Sequence, residues 1–187
     1  MSDTNTIRAF LAVELPGEVR EALVELTKAL SAAGLRGVRL VRPEGVHLTL
    51  KFLGDIDEDR IIPISDAVSR VAATHGDLVL ELSDVGAFPN DTRPRVLWIG
   101  LAGETGPLLR LQKEIDEALA TLGFERERRS FTPHLTVARV SDGTSPIDRR
   151  SAVETLIATP LRRDAQIPVK SVSLIRSILR PGGAEYE

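Results

Sequence analysis

Two segments of this chain repeat one pattern at a distance. "VHLTLKF" (46–52) and "PHLTVAR" (133–139) both carry His-Leu-Thr, and between them they use His47 and His134, two of the chain's three histidines. The surroundings repeat as well. "IRAFLAV" (7–13) reads as a strand closed by Pro16-Gly17. An amphipathic helix follows over 18–33, where Val19, Leu23, Leu26 and Leu30 recur at three- and four-residue steps and Gly34 suits the C-terminal cap. "RVLWIGL" (95–101) is again a strand, and the helix over 107–122 sets Leu108, Leu111, Ile115 and Leu119 on one face, with Gly123 ending it. The match is of elements, not of residue identities. An internal duplication is the simplest account: two similar α+β halves, about 1–90 and 91–187, with one His-Leu-Thr each. No low-complexity linker separates them, so they are expected to pack as one unit over 1–187.

The remaining segments fill in the halves. "VRLV" and "VHLTLKFL" read as strands, and "GDIDEDR" as an acidic loop leading into a helix that ends near His75-Gly76, with Pro63 in its first turns. "LVLELSDV" is a strand, "FTPHLTVARV" the second motif strand, "IDRRSAVETLIA" (147–158) a helix and "VKSVSLIRSIL" (169–179) a strand.

Composition narrows the function classes. Hydrophobic residues are 42% and charged residues 27% of the chain, an ordinary globular balance. With no cysteine there is no disulfide, no thiolate metal site and no cysteine nucleophile. No stretch approaches transmembrane length, and the N-terminus lacks a basic start followed by an apolar run, so a soluble cytoplasmic protein is expected. The net charge of -3 argues against a protein that coats long nucleic acid. Its distribution says more: the stretch 36–51 carries +3, the stretch 125–139 carries +2, and the rest carries -8. Positive charge gathers beside both His-Leu-Thr copies, which favours a local anionic ligand.

On a strand, residues i and i+2 share a face, so His47 projects with Thr49, and His134 with Thr136, while Val46, Leu48, Leu50, Leu135 and Val137 turn toward the core. If a pseudo-twofold relates the halves, the two pairs face each other across a cleft. In-line displacement at phosphorus needs a base for the attacking oxygen and an acid for the departing one, on opposite sides. Two imidazoles with an ordinary pKa of about 6.5 suit that division, and two hydroxyls can donate to the non-bridging oxygens. Any one histidine has threonine two residues on by chance roughly 7% of the time, so a single copy of the motif means little and the pair in matching elements carries the weight. His75, at a helix end before Gly76, reads as a structural C-terminal cation. Nothing resembles His-Glu-x-x-His, no acidic residue shares a motif face, and neither Gly-x-Ser-x-Gly nor a glycine-rich phosphate cradle is present.

These residues resemble the two-histidine phosphoesterase superfamily, whose signature is a duplicated His-x-Thr/Ser-x, and within it the RNA 2',3'-cyclic phosphodiesterases, also called 2'-5' RNA ligases. "RAFLAVELP", "HLTLKFLG", "FPNDTRPRVLWIGL", "RSFTPHLTVAR" and "LIRSIL" followed by Tyr186 each look like a segment of that family, over nearly the whole chain. The resemblance implies a bilobal α+β fold, with an antiparallel sheet and flanking helices in each lobe and one His-x-Thr strand per lobe facing a central cleft. It implies metal-independent hydrolysis of a terminal 2',3'-cyclic phosphate to a 2'-phosphate, with no cofactor. His47 would be the general acid and His134 the general base; Thr49 and Thr136 would bind the phosphate. Phe52 and Arg139, five past each histidine, would lie near the terminal nucleoside. Strict alternation puts both on the wrong face, so a bulge or a strand end must re-aim them. The expected partner is RNA with a 2',3'-cyclic phosphate end; no membrane is expected, and the protein is expected to be a monomer. The same residues would also serve small cyclic nucleotides or 2'-5' ligation, and the rival class is a nucleotide- or RNA-binding module without turnover.

Overall fold

The computed structural model describes residues 6–180 and 183–187. In chain order its elements are β1 (Thr6–Val13), α1 (Gly17–Ala32), β2 (Val38–Leu40), β3 (Leu48–Asp57), α2 (Ile61–Ala72), β4 (Leu78–Phe88), β5 (Val96–Gly103), α3 (Thr105–Thr121), β6 (His134–Val140), α4 (Pro146–Ala158), β7 (Gln166–Val169), β8 (Ser173–Arg180) and β9 (Gly183–Tyr186). Both repeat helices form where the apolar spacing places them. Val19, Leu23, Leu26 and Leu30 of α1 and Leu108, Leu111, Ile115 and Leu119 of α3 are all buried. Gly34 and Gly123 follow with φ of 62° and 88°, the left-handed turn that lets each chain leave its helix. At about 1.5–3 kcal/mol per buried leucine or isoleucine, these two stripes anchor the helices to the sheet.

The strands run β7-β4-β5-β6-β3-β1-β8-β9 in one curled antiparallel sheet, with β2 paired to β6 beside that path. The α+β class and the duplicated plan are therefore as the sequence implies. The sheet interleaves the repeats, however. β4, from the first half of the chain, pairs with β5; β8, from the second half, pairs with β1. Each half thus completes its partner's part of the sheet. This explains why "VKSVSLIRSIL" is two strands rather than one: Val169 ends a strand paired to β4, Ser173 starts one paired to β1, and Lys170–Val172 cross between them. The acidic stretch after the first motif differs too. Gly54 to Asp57 continue β3, opposite Ala9 to Thr6, because Leu53 and Ile56 bury against the core.

The main core lies on one face of the sheet, where α1, α3 and α4 pack on Leu48, Leu97, Ile99 and Leu135. A small separate cluster of Phe10, Ala12 and Ile175 lies on the other face. That second face carries the histidines.

Candidate active site

The halves of the sheet meet through one residue pair, Leu48 opposite Leu135. Both leucines are fully buried beneath the helices. Their neighbours therefore point to the open face, and stepping one residue along the antiparallel strands sets His47 beside Thr136 and Thr49 beside His134. The four side chains make a rectangle with an imidazole at each end of one diagonal and a hydroxyl at each end of the other. Diagonal neighbours in such a pair are about 7–8 Å apart, which leaves room for one tetrahedral phosphate between the imidazoles.

His134 is held in one tautomer from two residues upstream. His134 Nδ1 lies 2.7 Å from the Thr132 carbonyl oxygen, which can only accept, so Nδ1 carries the hydrogen and Nε2 the lone pair. His47 has the Gly45 backbone, also two residues upstream, as a hydrogen-bond partner that favours its charged form. Each ring is also braced by an aromatic neighbour. Phe10 stacks on His47 with centroids 4.5 Å apart and Tyr186 meets it edge-on at 5.0 Å; Phe88 meets His134 edge-on at 4.9 Å. Burial among these rings, helped by the nearby Arg139 cation and opposed by the Gly45 bond, lowers the His47 pKa to about 4. His47 is neutral at pH 7 in the free protein.

Bulges re-aim the residues five past each histidine. Leu11 pairs with Lys51 while Ala12 pairs with Thr49, so Leu50 has no partner opposite it on β1. Leu50 and Lys51 both turn inward, and Phe52 swings back to the histidine face, 69% exposed and 6.0 Å from Phe10. The second motif repeats the device. Leu97 pairs with Ala138 and Trp98 with Thr136, leaving Val137 over; Val137 and Ala138 are both buried, and Arg139 emerges on the face of His134 and Thr136. All six expected site residues are thus on one open face, and His75 is not among them: its Nε2 lies 2.9 Å from Glu114 of α3, on the helix side.

Comparison with known proteins bears on this arrangement directly. The family described as LigT like phosphoesterase matches the chain twice, over residues 13–98 and 99–186. The chain belongs to the LigT-like phosphoesterase family. Among relatives of this phosphoesterase, proteins named RNA 2',3'-cyclic phosphodiesterase from Archaeoglobus fulgidus and Methanocaldococcus jannaschii are 36% and 34% identical to it. Each match covers 97% of this chain and 97% of the relative. Among solved structures, a protein of Thermus thermophilus superposes with a TM-score of 0.77 at 30% identity, covering 97% of this chain and 94% of that one. E. coli LigT in complex with 3'-AMP superposes with a TM-score of 0.70 at 25% identity, covering 98% and 95%.

Sequence reasoning did not reach several parts of this LigT-like site. Phe10 reads as one more apolar strand residue, yet its ring is the surface on which His47 rests. Trp98 stands beside Thr136, 5.1 Å from Phe88, and lies so close over Gly86 that a Cβ there would come within 2.6 Å of the indole. Its buried Nε1 has no partner among the described residues. Behind the first bulge, α3 supplies two polar groups. Gln112 donates to the Leu50 carbonyl at 3.3 Å, and Asp116 accepts from the buried Lys51 ammonium at 2.5 Å. Lys51 also donates to the Glu125 carbonyl at 2.8 Å, tying the approach to the second motif to the strand of the first. A signal existed: Gln112 and Asp116 fall on the apolar stripe of α3, where an unpaired polar group would be costly.

Proposed function

We propose that this phosphoesterase opens the 2',3'-cyclic phosphate at an RNA end to a 2'-phosphate, with His47 and His134 as its acid and base and no metal. The observation that carries this reading is the Leu48–Leu135 pairing, because that register sets two imidazoles diagonally across a space of one phosphate, with a hydroxyl at each other corner. In the cyclic ester, water attacks phosphorus in line with the 3'-oxygen. His134 Nε2 takes the proton from water as the new P–O bond forms; His47 gives a proton to the 3'-oxygen as its bond to phosphorus breaks. Thr49 and Thr136 donate to the non-bridging oxygens, where negative charge grows. Because His47 is neutral in the free protein, its proton arrives with the substrate: the phosphate anion beside the buried ring favours the imidazolium and also offsets Arg139. Metal independence is supported by the donor set, since among the described residues no three His, Asp or Glu side chains converge. The relatives' name supports RNA as substrate. No helix among the described residues is long and apolar enough to cross a membrane.

The test is an oligoribonucleotide with a 2',3'-cyclic end, incubated in chelator, with the product phosphate mapped. A 2'-phosphate is expected; activity that vanishes with chelator and returns with a divalent ion overturns metal independence. Alanine at His47 or His134 should each cost at least about 10²-fold in turnover, and alanine at Thr49 or Thr136 less. With a leaving group that needs no proton, His47→Ala should be rescued and His134→Ala should not. Rescue of His134→Ala alone would reverse the roles.

A further inference from the structure

The ion pair beneath the first motif reaches further than the strand it sits on. Lys51 and Asp116 are both buried, and ammonium and carboxylate meet at 2.5 Å. As a device for holding a helix on a sheet, such a pair has no advantage, because two apolar side chains of similar volume often do it as well or better. What an apolar pair cannot do is hold backbone groups. Lys51 donates a second hydrogen to the Glu125 carbonyl at 2.8 Å, and both Asp116 oxygens accept from the Glu127 N–H, at 3.3 and 3.2 Å. Glu127 then turns its own carboxylate back to accept from the Arg128 and Arg129 N–H groups, at 3.0 and 3.2 Å.

The segment held in this way delivers the second histidine. Residues 125–133 form no helix or strand, so side-chain bonds fix their course at one end and Phe131, packed against the main core, fixes it at the other. Next comes Thr132, whose carbonyl accepts from His134 Nδ1. An unbroken connection thus runs from the bulge of the first motif, through α3, to the carbonyl that keeps the lone pair of His134 on Nε2. Without that bond the hydrogen is free to move to Nε2, where it would block the base.

We propose that Lys51 and Asp116 are positioning residues for His134: together they hold segment 125–133 so that Thr132 fixes the ring that takes the proton from water. The role rests on the phosphodiesterase reading above and says how the first half of the chain governs the base carried by the second. It also gives the first bulge a second use, since the step that turns Phe52 outward is the step that turns Lys51 inward.

Two variants test it. Lys51→Met/Asp116→Leu replaces the pair by apolar side chains and keeps α3 packed on β3. Glu127→Pro deletes the N–H at the exposed end and leaves the buried pair whole. A long-range proton–nitrogen NMR correlation spectrum of the imidazoles should show His134 with its hydrogen on Nδ1 in the wild type and a mixture of both tautomers in each variant, with His47 unchanged. On an oligoribonucleotide with a 2',3'-cyclic end, kcat should fall by about tenfold or more and KM by no more than about twofold in either direction, since Thr49 and Thr136 keep their places. With sulfur in place of the 3'-oxygen, a leaving atom that needs no proton, the loss should persist, as for His134→Ala and unlike His47→Ala. A wild-type tautomer or full kcat in a folded variant overturns the role, and so does a loss that the sulfur ester rescues, because the effect would then lie at His47. If the double variant fails to fold, Glu127→Pro decides alone. If the wild type opens no cyclic ester, the phosphodiesterase reading fails; the tautomer of His134 in wild type and variants still decides the positioning.

Discussion

His47 shows how much an environment can change one side chain. Its sequence neighbours mark it as the partner of His134, equal in type and spacing, yet only the fold places Phe10, Tyr186 and Arg139 around it and lowers its pKa to about 4. The consequence for stability has a definite sign. The unfolded chain takes up a proton here near pH 6.5, the folded one only near pH 4, so the neutral site stabilises the fold above about pH 6.5 and that contribution is lost as pH falls toward 4. The loss is up to about 3 kcal/mol, and denaturant unfolding at pH 7, 5.5 and 4 should show it in the wild type and largely lack it in His47→Gln. The rate carries the same signature. The acidic limb of kcat/KM, which reports the free protein, should lie near pH 4, and in kcat it should move up once phosphate sits between the imidazoles. A free-protein limb near 6.5 would mean that the rings and Arg139 do not act on His47 in solution. None of this was legible in the sequence, because Tyr186 is 139 residues from His47 and a strand pattern does not say which ring stacks on which.

At the scale of elements, alternation made most strands and the two repeat helices readable, since a buried face has a period that shows in the residue pattern. What it missed are the interruptions of that period. A bulge adds one residue and reverses every later side chain, so Phe52 and Arg139 were legible only as residues that had to be re-aimed; the way this happens depends on what lies opposite. At the first bulge the answer is Gln112 and Asp116, which meet the Leu50 carbonyl and the Lys51 ammonium. Removing one partner of a buried pair leaves the other charge stranded. Lys51→Met should therefore destabilise the protein by about 3–5 kcal/mol, and adding Asp116→Leu should recover most of that loss. Urea unfolding of both variants checks it; equal midpoints for wild type and Lys51→Met would show the pair to be inert.

For the whole molecule, the duplication was readable and its interleaving was not. Element order is a property of the chain, whereas the pairing of β4 with β5 and of β8 with β1 is decided by which edges remain open once the core has formed. Separate fragments 1–90 and 91–187 should accordingly fail to fold alone, each lacking a strand that its partner supplies, and should gain structure when mixed. Circular dichroism and amide dispersion in NMR, recorded singly and together, test this; a folded isolated fragment would count against it. The same duplication raises a problem of degeneracy. A twofold-related pair of His-x-Thr corners presents one shape to a phosphate from two directions, so a ligand that saw only the rectangle would bind in two opposed poses, with the acid of one standing where the other needs its base. Equivalent bulges put Phe52 on one side and Arg139 on the other, an aromatic face against a cation. Under the proposed roles, that mismatch removes the degeneracy. Under those roles, the direction of the reaction would follow from Phe52 and Arg139, unlike residues at matching positions of the two motifs.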